Sequence, residues 1–191
     1  MILEGIVTTL QPDGTTNVAP MGPRVDDSTA PAIERFLLRP FPTSSTCGNL
    51  LRTRRGVLHV TDDVELLARA AVDRLDSPPP LTSLEGFGPL ILQNACRWYA
   101  FEVAEIDQSE ERVKLDCRVV RHGWHRDFFG FNRAKHAVLE AAILATRVAI
   151  LPPEQIRDEL RRLSVIVEKT AGTAERRAFE FLHSYVDEVL R

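Results

Sequence analysis

The pattern of apolar positions changes along the chain. Over residues 1–130 they fall mostly in short runs or alternate with polar ones; beyond that they recur every three or four residues. Residues 2–10 are rich in β-branched and apolar side chains and predict a strand. Gln11-Pro12-Asp13-Gly14 predicts a turn: Pro presets φ, Asp bonds nearby backbone, and Gly accepts positive φ. Residues 15–25 return as a second strand, which Pro20 and Pro23 confine to a sheet edge, a bulge or a strand end. Residues 26–32 are a polar connection, 33–39 a short strand, 49–54 a short helix and 56–61 another strand. Val64, Leu67, Ala68, Ala71, Val72 and Leu75 have helical spacing and predict an amphipathic helix over 63–75. Ser77-Pro78-Pro79-Pro80 ends it and opens a loop to Pro89, either a flap or a plain connection.

Residues 96–106 and 112–120 form a long hairpin around a polar turn at 108–111. In its second arm Val113, Leu115, Cys117 and Val119 alternate with Lys114, Asp116 and Arg118, as in a half-buried strand. The first arm is apolar on both faces, with Trp98 and Ala100 on one and Tyr99, Phe101 and Val103 on the other. Such an arm predicts a barrel wall that also meets a partner or ligand. Residues 132–149 predict a strong helix, Pro152-Pro153 the start of another, and Gly172 the break before a last one. Strands first and helices last is an α+β pattern, here with regions 1–130 and 131–191.

Composition narrows the class. The 191 residues are 44% hydrophobic and 27% charged, enough for a sizeable core without staples. A net charge of -3 offers no broad nucleic-acid surface, and no apolar run is long enough to cross a membrane. The first residues have no basic region followed by an apolar block, so no signal peptide is expected. Cys47, Cys96 and Cys117 fit no zinc or disulfide framework, and a reducing cytoplasm is the expected compartment.

Three stretches carry candidate chemistry. The first is residues 39–52, where Thr43-Ser44-Ser45-Thr46 follow Arg39-Pro40-Phe41-Pro42 and lead into Cys47-Gly48-Asn49-Leu50-Leu51-Arg52. Hydroxyls at a helix start serve either as N-caps or, with the free N–H groups, as donors to a phosphate. The second is Asn132-Arg133-Ala134-Lys135. Asn132 is a good cap, but Arg133 and Lys135 bring cations to a helix end that favours anions. Either an external anion sits there, or both side chains reach solvent or pair with acids such as Glu140. The third is Asn17-Val18-Ala19-Pro20-Met21-Gly22, where small residues allow a flat ligand close to the backbone or make an ordinary barrel corner. His122-Gly123-Trp124-His125 lacks a third metal ligand at suitable spacing, and no metal site is expected. Cys47 is either a nucleophile among donors or a plain buried thiol.

These stretches, together with the opening Met1-Ile2-Leu3-Glu4-Gly5-Ile6-Val7-Thr8-Thr9 and the segment Phe131-Asn132-Arg133-Ala134-Lys135, resemble a prokaryotic flavoprotein family, domain of unknown function 447. That family in turn resembles the flavin-reductase-like FMN-binding split barrels, usually homodimers with FMN near the subunit interface. The resemblance implies FMN, a homodimer and a six-stranded split β-barrel with a C-terminal helical subdomain. The hydroxyl loop, Thr43, Ser44, Ser45 and Thr46 with Asn49, together with Arg133 and Lys135, suits the FMN phosphate. Asn17, Ala19, Met21 and Gly22 suit the edge of the flavin ring. Cys47 stands where relatives often carry an aromatic residue, which leaves a stacking role there open. The expected function is an FMN-dependent oxidoreductase acting on a small molecule. The alternatives are a non-catalytic FMN carrier or sensor, and a binder of another phosphorylated metabolite. No catalytic residue is assigned.

Overall fold

Strand β1 (Gly5–Leu10) pairs antiparallel with β2 (Thr16–Met21) on one side and with β5 (Arg55–Val60) on the other. The computed structural model describes residues 1–26 and 33–191, so the expected connection at 26–32 lies, apart from Asp26, outside the described residues. With β3 (Arg24–Val25), β4 (Arg35–Leu38), β8 (Arg97–Asp107) and β9 (Lys114–Trp124), the strands run β2-β1-β5-β8-β9-β4-β3. The N-terminal residues close this sheet. Ile2 bridges Arg24, Leu3 N donates to Pro23 O at 3.0 Å, and Val25 N donates to Met1 O at 3.0 Å. β2 and β3 are one strand interrupted at Gly22-Pro23, so the barrel has six strands, split where β1 and the segment before it take different partners. Pro20 lies in β2, at one end of the strand order among the described residues, where a residue without an N–H is tolerated.

The period of two sorts the strand residues onto two faces. Val7, Leu58, Tyr99, Phe101, Val103, Leu115 and Cys117 fill the inside. Cys47 and Leu50 of α1 (Ser45–Thr53) join them. On the outside, Val57 and Ala100 pack with Phe87 and Leu90, and Leu10 and Trp98 add to the layer. The outer cover is a small hairpin, β6 (Leu81–Leu84) and β7 (Gly88–Leu92), where the sequence predicts a loop. The prolines around it masked its apolar residues; Gly86 and Gly88, at φ +79° and +84°, supply its turn. This hairpin corrects a second expectation. Both faces of the 98–103 arm are covered within the chain, so its apolar character does not require a partner. β9 also runs beyond the expected 120 to Trp124. Gly123 lies under the Trp98 indole, where a Cβ would stand 2.4 Å from the ring.

His59 ties the outer cover down. Its ring is fully buried; Nδ1 lies 3.2 Å from Ile6 O, and Leu92 N donates to Nε2 at 3.1 Å. One neutral imidazole, donating at Nδ1 and accepting at Nε2, thus satisfies β1 and β7 together. Burial pushes its pKa down to about 3, against the effect of the Ile6 carbonyl, and the charge of His125 adds to the lowering.

The chain forms two compact units, Met1–Thr61 with Pro78–Asp127, and Asp62–Ser77 with Phe128–Arg191. The second contains α2 (Val64–Ala71), α3 (Arg133–Ala145), α4 (Pro153–Thr170) and α5 (Thr173–Val189). The expected boundary at 130 leaves out α2, whose apolar face packs on α3 and α5. α3 ends at Ala145, earlier than the expected 149, and gives way to turns. Ala134, Ala137, Val138, Ala141, Ala142 and Ala145 are its buried stripe. Among the described residues, no helix is long and apolar enough to cross a membrane.

The His59 contacts predict a pH dependence. The unfolded chain binds the extra proton between pH 6.5 and about 3, so this contribution to stability is complete above pH 6.5 and is lost as pH falls through that window. Each unit is worth about 1.4 kcal/mol. Denaturant unfolding of the wild type and His59→Asn should give a stability gap that narrows by about 1–2 kcal/mol from pH 7 to pH 5. A gap unchanged over that range would count against this role.

Candidate functional site

The hydroxyl loop folds as the head of α1. Ser44 is the N-cap; its Oγ accepts from Cys47 N at 3.2 Å and donates to Phe41 O at 2.8 Å. Before it, Arg39 pairs with Glu110 at 2.6 Å, and the Arg112 guanidinium lies 3.8 Å from the Phe41 ring centre, which anchors the loop to the β8–β9 turn. The first helical turn has no acidic residue. The N–H groups of Ser45 and Thr46 have no acceptor among the described residues. Thr43 and Ser45 are exposed, whereas Thr46 is buried. The head therefore presents free N–H and O–H donors, an arrangement that fits an anion.

A buried polar network fastens this head to the barrel. Asn17 Nδ2 lies 3.3 Å from Thr9 Oγ1 and 3.0 Å from Thr46 Oγ1. Asn49 Nδ2 lies 3.0 Å from the same Thr9 oxygen. Arg52 reaches Leu10 O and, at 3.4 Å, Asn49 Oδ1. The register explains the convergence, since Thr9 stands directly opposite Asn17 in the β1–β2 ladder. Asn17, Thr46 and Asn49 are thus brought together as expected, while Thr9 and Arg52 were missed. Thr9 reads as one more β-branched strand residue, and only the pairing register singles it out.

Other candidates divide. Asn17, Ala19 and Met21 share one face of β2, and Met21 packs against the inner core. At Gly22 an added Cβ would meet Ile2 Cγ2 at 2.9 Å, so its missing side chain makes room for the closing N-terminal segment. Cys47 is fully buried and burial raises its thiol pKa, which is the behaviour of an inert thiol. Among the described residues, no three His, Cys, Asp or Glu side chains gather to hold a metal.

Arg133 and Lys135 belong to the second unit. Asn132 caps α3 as expected, accepting from Ala134 N at 2.8 Å and Lys135 N at 3.1 Å. Lys135 Nζ, however, is held by Glu175 at 2.9 Å and by Asp62 O at 2.7 Å. This is the acid-pairing alternative, with Glu175 in the place of Glu140. Burial alone would raise the Glu175 carboxyl; the bonds from Lys135 and from its own and the Gly172 amides hold it below the ordinary range. Arg133 is exposed and forms no ion pair among the described residues. Phe129 and Phe131, 87% and 92% exposed, precede this helix. The Phe131 ring is stacked on His136 with centres 6.0 Å apart.

The six-stranded barrel with α1 packed on its inner face has the split-barrel fold of the flavin-reductase-like proteins. The chain belongs to the DUF447 family, described as proteins of unknown function: its N-terminal domain matches residues 3–126 and its second domain residues 132–184. The FMN-bound protein MM1853 of Methanosarcina mazei, also of DUF447, matches with a TM-score of 0.83 and 25% identity over 96% of this chain and 94% of that one. An FMN-binding protein from Thermus thermophilus, solved with p-hydroxybenzaldehyde, matches at TM-score 0.53 and 19% identity over 64% and 71% of the two chains. The styrene monooxygenase flavin reductase of Pseudomonas putida S12 matches at 0.51 and 15% over 63% and 77%. The last two share the fold. No curated protein matches the chain.

The cap at α1 is testable. Ser44→Ala should lower the stability of the ligand-free protein by about 1 kcal/mol, the usual worth of such a cap. Thermal melting of the ligand-free variant checks it, and an unchanged midpoint would mean the Ser44 bonds are not structural.

Proposed function

We propose that this protein binds FMN and acts as an oxidoreductase that passes electrons through it to a small molecule. The observation that carries the reading is the match to an FMN-bound member of the same family along nearly the whole of both chains. The residues present fit the group. The free N–H groups of Ser45 and Thr46 and the exposed hydroxyls of Thr43 and Ser45 suit a phosphate. The Ser44 hydroxyl is occupied as a cap and that of Thr46 by Asn17, so these two hold the loop in shape. Asn17 and Ala19, on one face of β2, suit the polar edge and flat surface of the ring. When bound, FMN supplies the hydride and electron chemistry. The chain's part is to orient the cofactor and shield it from water.

A carrier or sensor is the second reading. It is favoured by the neutral character of Thr9, Thr46, Asn17 and Asn49, which include no proton donor of suitable pKa. Anaerobic mixing of the FMN-loaded protein with NADH or NADPH separates the two: rapid bleaching of the flavin absorbance supports the oxidoreductase, and its absence with both donors supports the carrier.

A homodimer belongs to the same proposal. Its support moves from the 98–103 arm to the far end of β9. There Val120 and the 57% exposed Trp124 lie beyond Arg118, the last β9 residue paired with β4. Light scattering at micromolar concentration should give twice the chain mass for the wild type and a shift toward monomer for Trp124→Glu. A monomeric wild type would remove the dimer from the proposal.

The phosphate assignment has its own test. FMN should bind at least about tenfold more tightly than riboflavin, since charge-assisted hydrogen bonds are worth about 1.5–3 kcal/mol. Flavin fluorescence titration of both compounds checks this, and equal affinities would exclude the phosphate site.

A further inference from the structure

The network around Thr9 has a proton imbalance. With Asn17 Nδ2 facing inward, Thr9 Oγ1 accepts two N–H bonds, from Asn17 and from Asn49. Its own hydroxyl proton then has no acceptor among the described residues, and neither has that of Thr46. Both hydroxyls are buried, with Thr9 0% and Thr46 3% exposed. Unpaired buried donors are costly and rare. The oxygen and nitrogen of a carboxamide are nearly the same size, so the hydrogen-bond network decides which way it stands.

We infer that the Asn17 carboxamide stands with Oδ1 inward and its NH2 outward, where it donates to an acceptor oxygen of the bound flavin. With oxygen inward, Oδ1 accepts from Thr9 and from Thr46, one bond for each lone pair. Thr9 Oγ1 accepts from Asn49, and Asn49 Oδ1 accepts from Arg52. The hydroxyl protons of Thr9 and Thr46 then both have an acceptor, and the bonds from Asn49 to Thr9 and from Arg52 to Asn49 are kept.

The outward end is open to a ligand. Asn17 is half-buried, and its outer atom has no protein partner among the described residues. Nor is that atom among the buried ones left unpaired, so it reaches solvent. Outward NH2 joins the free N–H groups of Ser45 and Thr46, and all three face ligand acceptors only. Thr9 is then a positioning residue: it touches no ligand, but its hydroxyl holds the amide in the donating sense. The inference rests on the FMN reading for the identity of the ligand, though not for the orientation.

Side-chain amide exchange by 15N NMR tests the orientation without any ligand. The Asn17 NH2 signal is assigned by its loss in Asn17→Asp. It should exchange with solvent as fast as that of exposed Gln108, while the Asn49 NH2 is protected. Protection of Asn17 equal to that of Asn49 overturns the inference. Adding FMN should shift the Asn17 NH2 signals and slow their exchange; FMN that binds by fluorescence and leaves them unmoved also overturns it. If FMN does not bind at all, the FMN reading fails and the ligand assignment falls with it, while the exchange data still decide the orientation. Asn17→Asp keeps both inner bonds and should fold with an unchanged melting point, yet bind FMN about tenfold or more weakly. A loss for FMN alone identifies a phosphate oxygen as the acceptor, an equal loss for riboflavin a ring carbonyl, and no loss for either overturns the inference.

Discussion

Two consecutive threonines in β1 hold this barrel between its two covers. The strand is buried on both sides, and its period of two sends the Thr8 and Thr9 hydroxyls in opposite directions. Thr8 Oγ1 donates outward to Leu90 O at 2.6 Å and so fixes the β6–β7 hairpin over the outer face. Thr9 Oγ1 meets Asn17 and Asn49 and so fixes α1 over the inner one. A shift of register by one residue would exchange these roles and place both hydroxyls against apolar surfaces without partners. His59, opposite Ile6, adds a second polar tie on the outer side.

This two-sided burial explains what the sequence disclosed and what it hid. The alternation in β9, the stripes of α3, α4 and α5, and the proline-limited edge strand β2 were legible, because local period and backbone chemistry decide them. The β6–β7 hairpin was not, since prolines at 78–80 and 89 resemble a loop and its pairing depends on a sheet distant in sequence. Missing it led to the inference that the Trp98 face required a partner. At the candidate site, Ser44, Thr46 and Asn49 were legible as polar residues at a helix start. Their division into a cap, a network member and open donors depends on Thr9, which only tertiary structure brings near.

The heads of α1 and α3 looked alike in sequence and differ physically. Both lack acidic residues in the first turn. At α3 the chain supplies the missing anion itself: Glu175, at the start of α5, accepts from Lys135 and from Gly172 N. One carboxylate therefore serves the lysine and a neighbouring helix start together, which leaves Lys135 little capacity for an external ligand. At α1 no carboxylate bonds to the free N–H groups among the described residues. The helix whose charge pattern advertised an anion site is the more self-sufficient one, and the neutral hydroxyl-rich helix is the more open.

The same distinction bears on chemistry. Inside the barrel unit, the one buried imidazole and the buried thiols packed near the α1 head and the inner core are held inactive. His59 is neutral down to about pH 3, and the buried Cys47 and Cys117 thiols are shifted upward by desolvation. What this unit exposes at the α1 head is instead a set of donors of fixed direction. Such a set can recognise and orient an acceptor-rich cofactor but cannot itself serve as acid, base or nucleophile at neutral pH. At the α1 head the protein's contribution to holding a ligand therefore resides in the direction of a few hydrogen bonds. The Thr9 hydroxyl decides one of those directions.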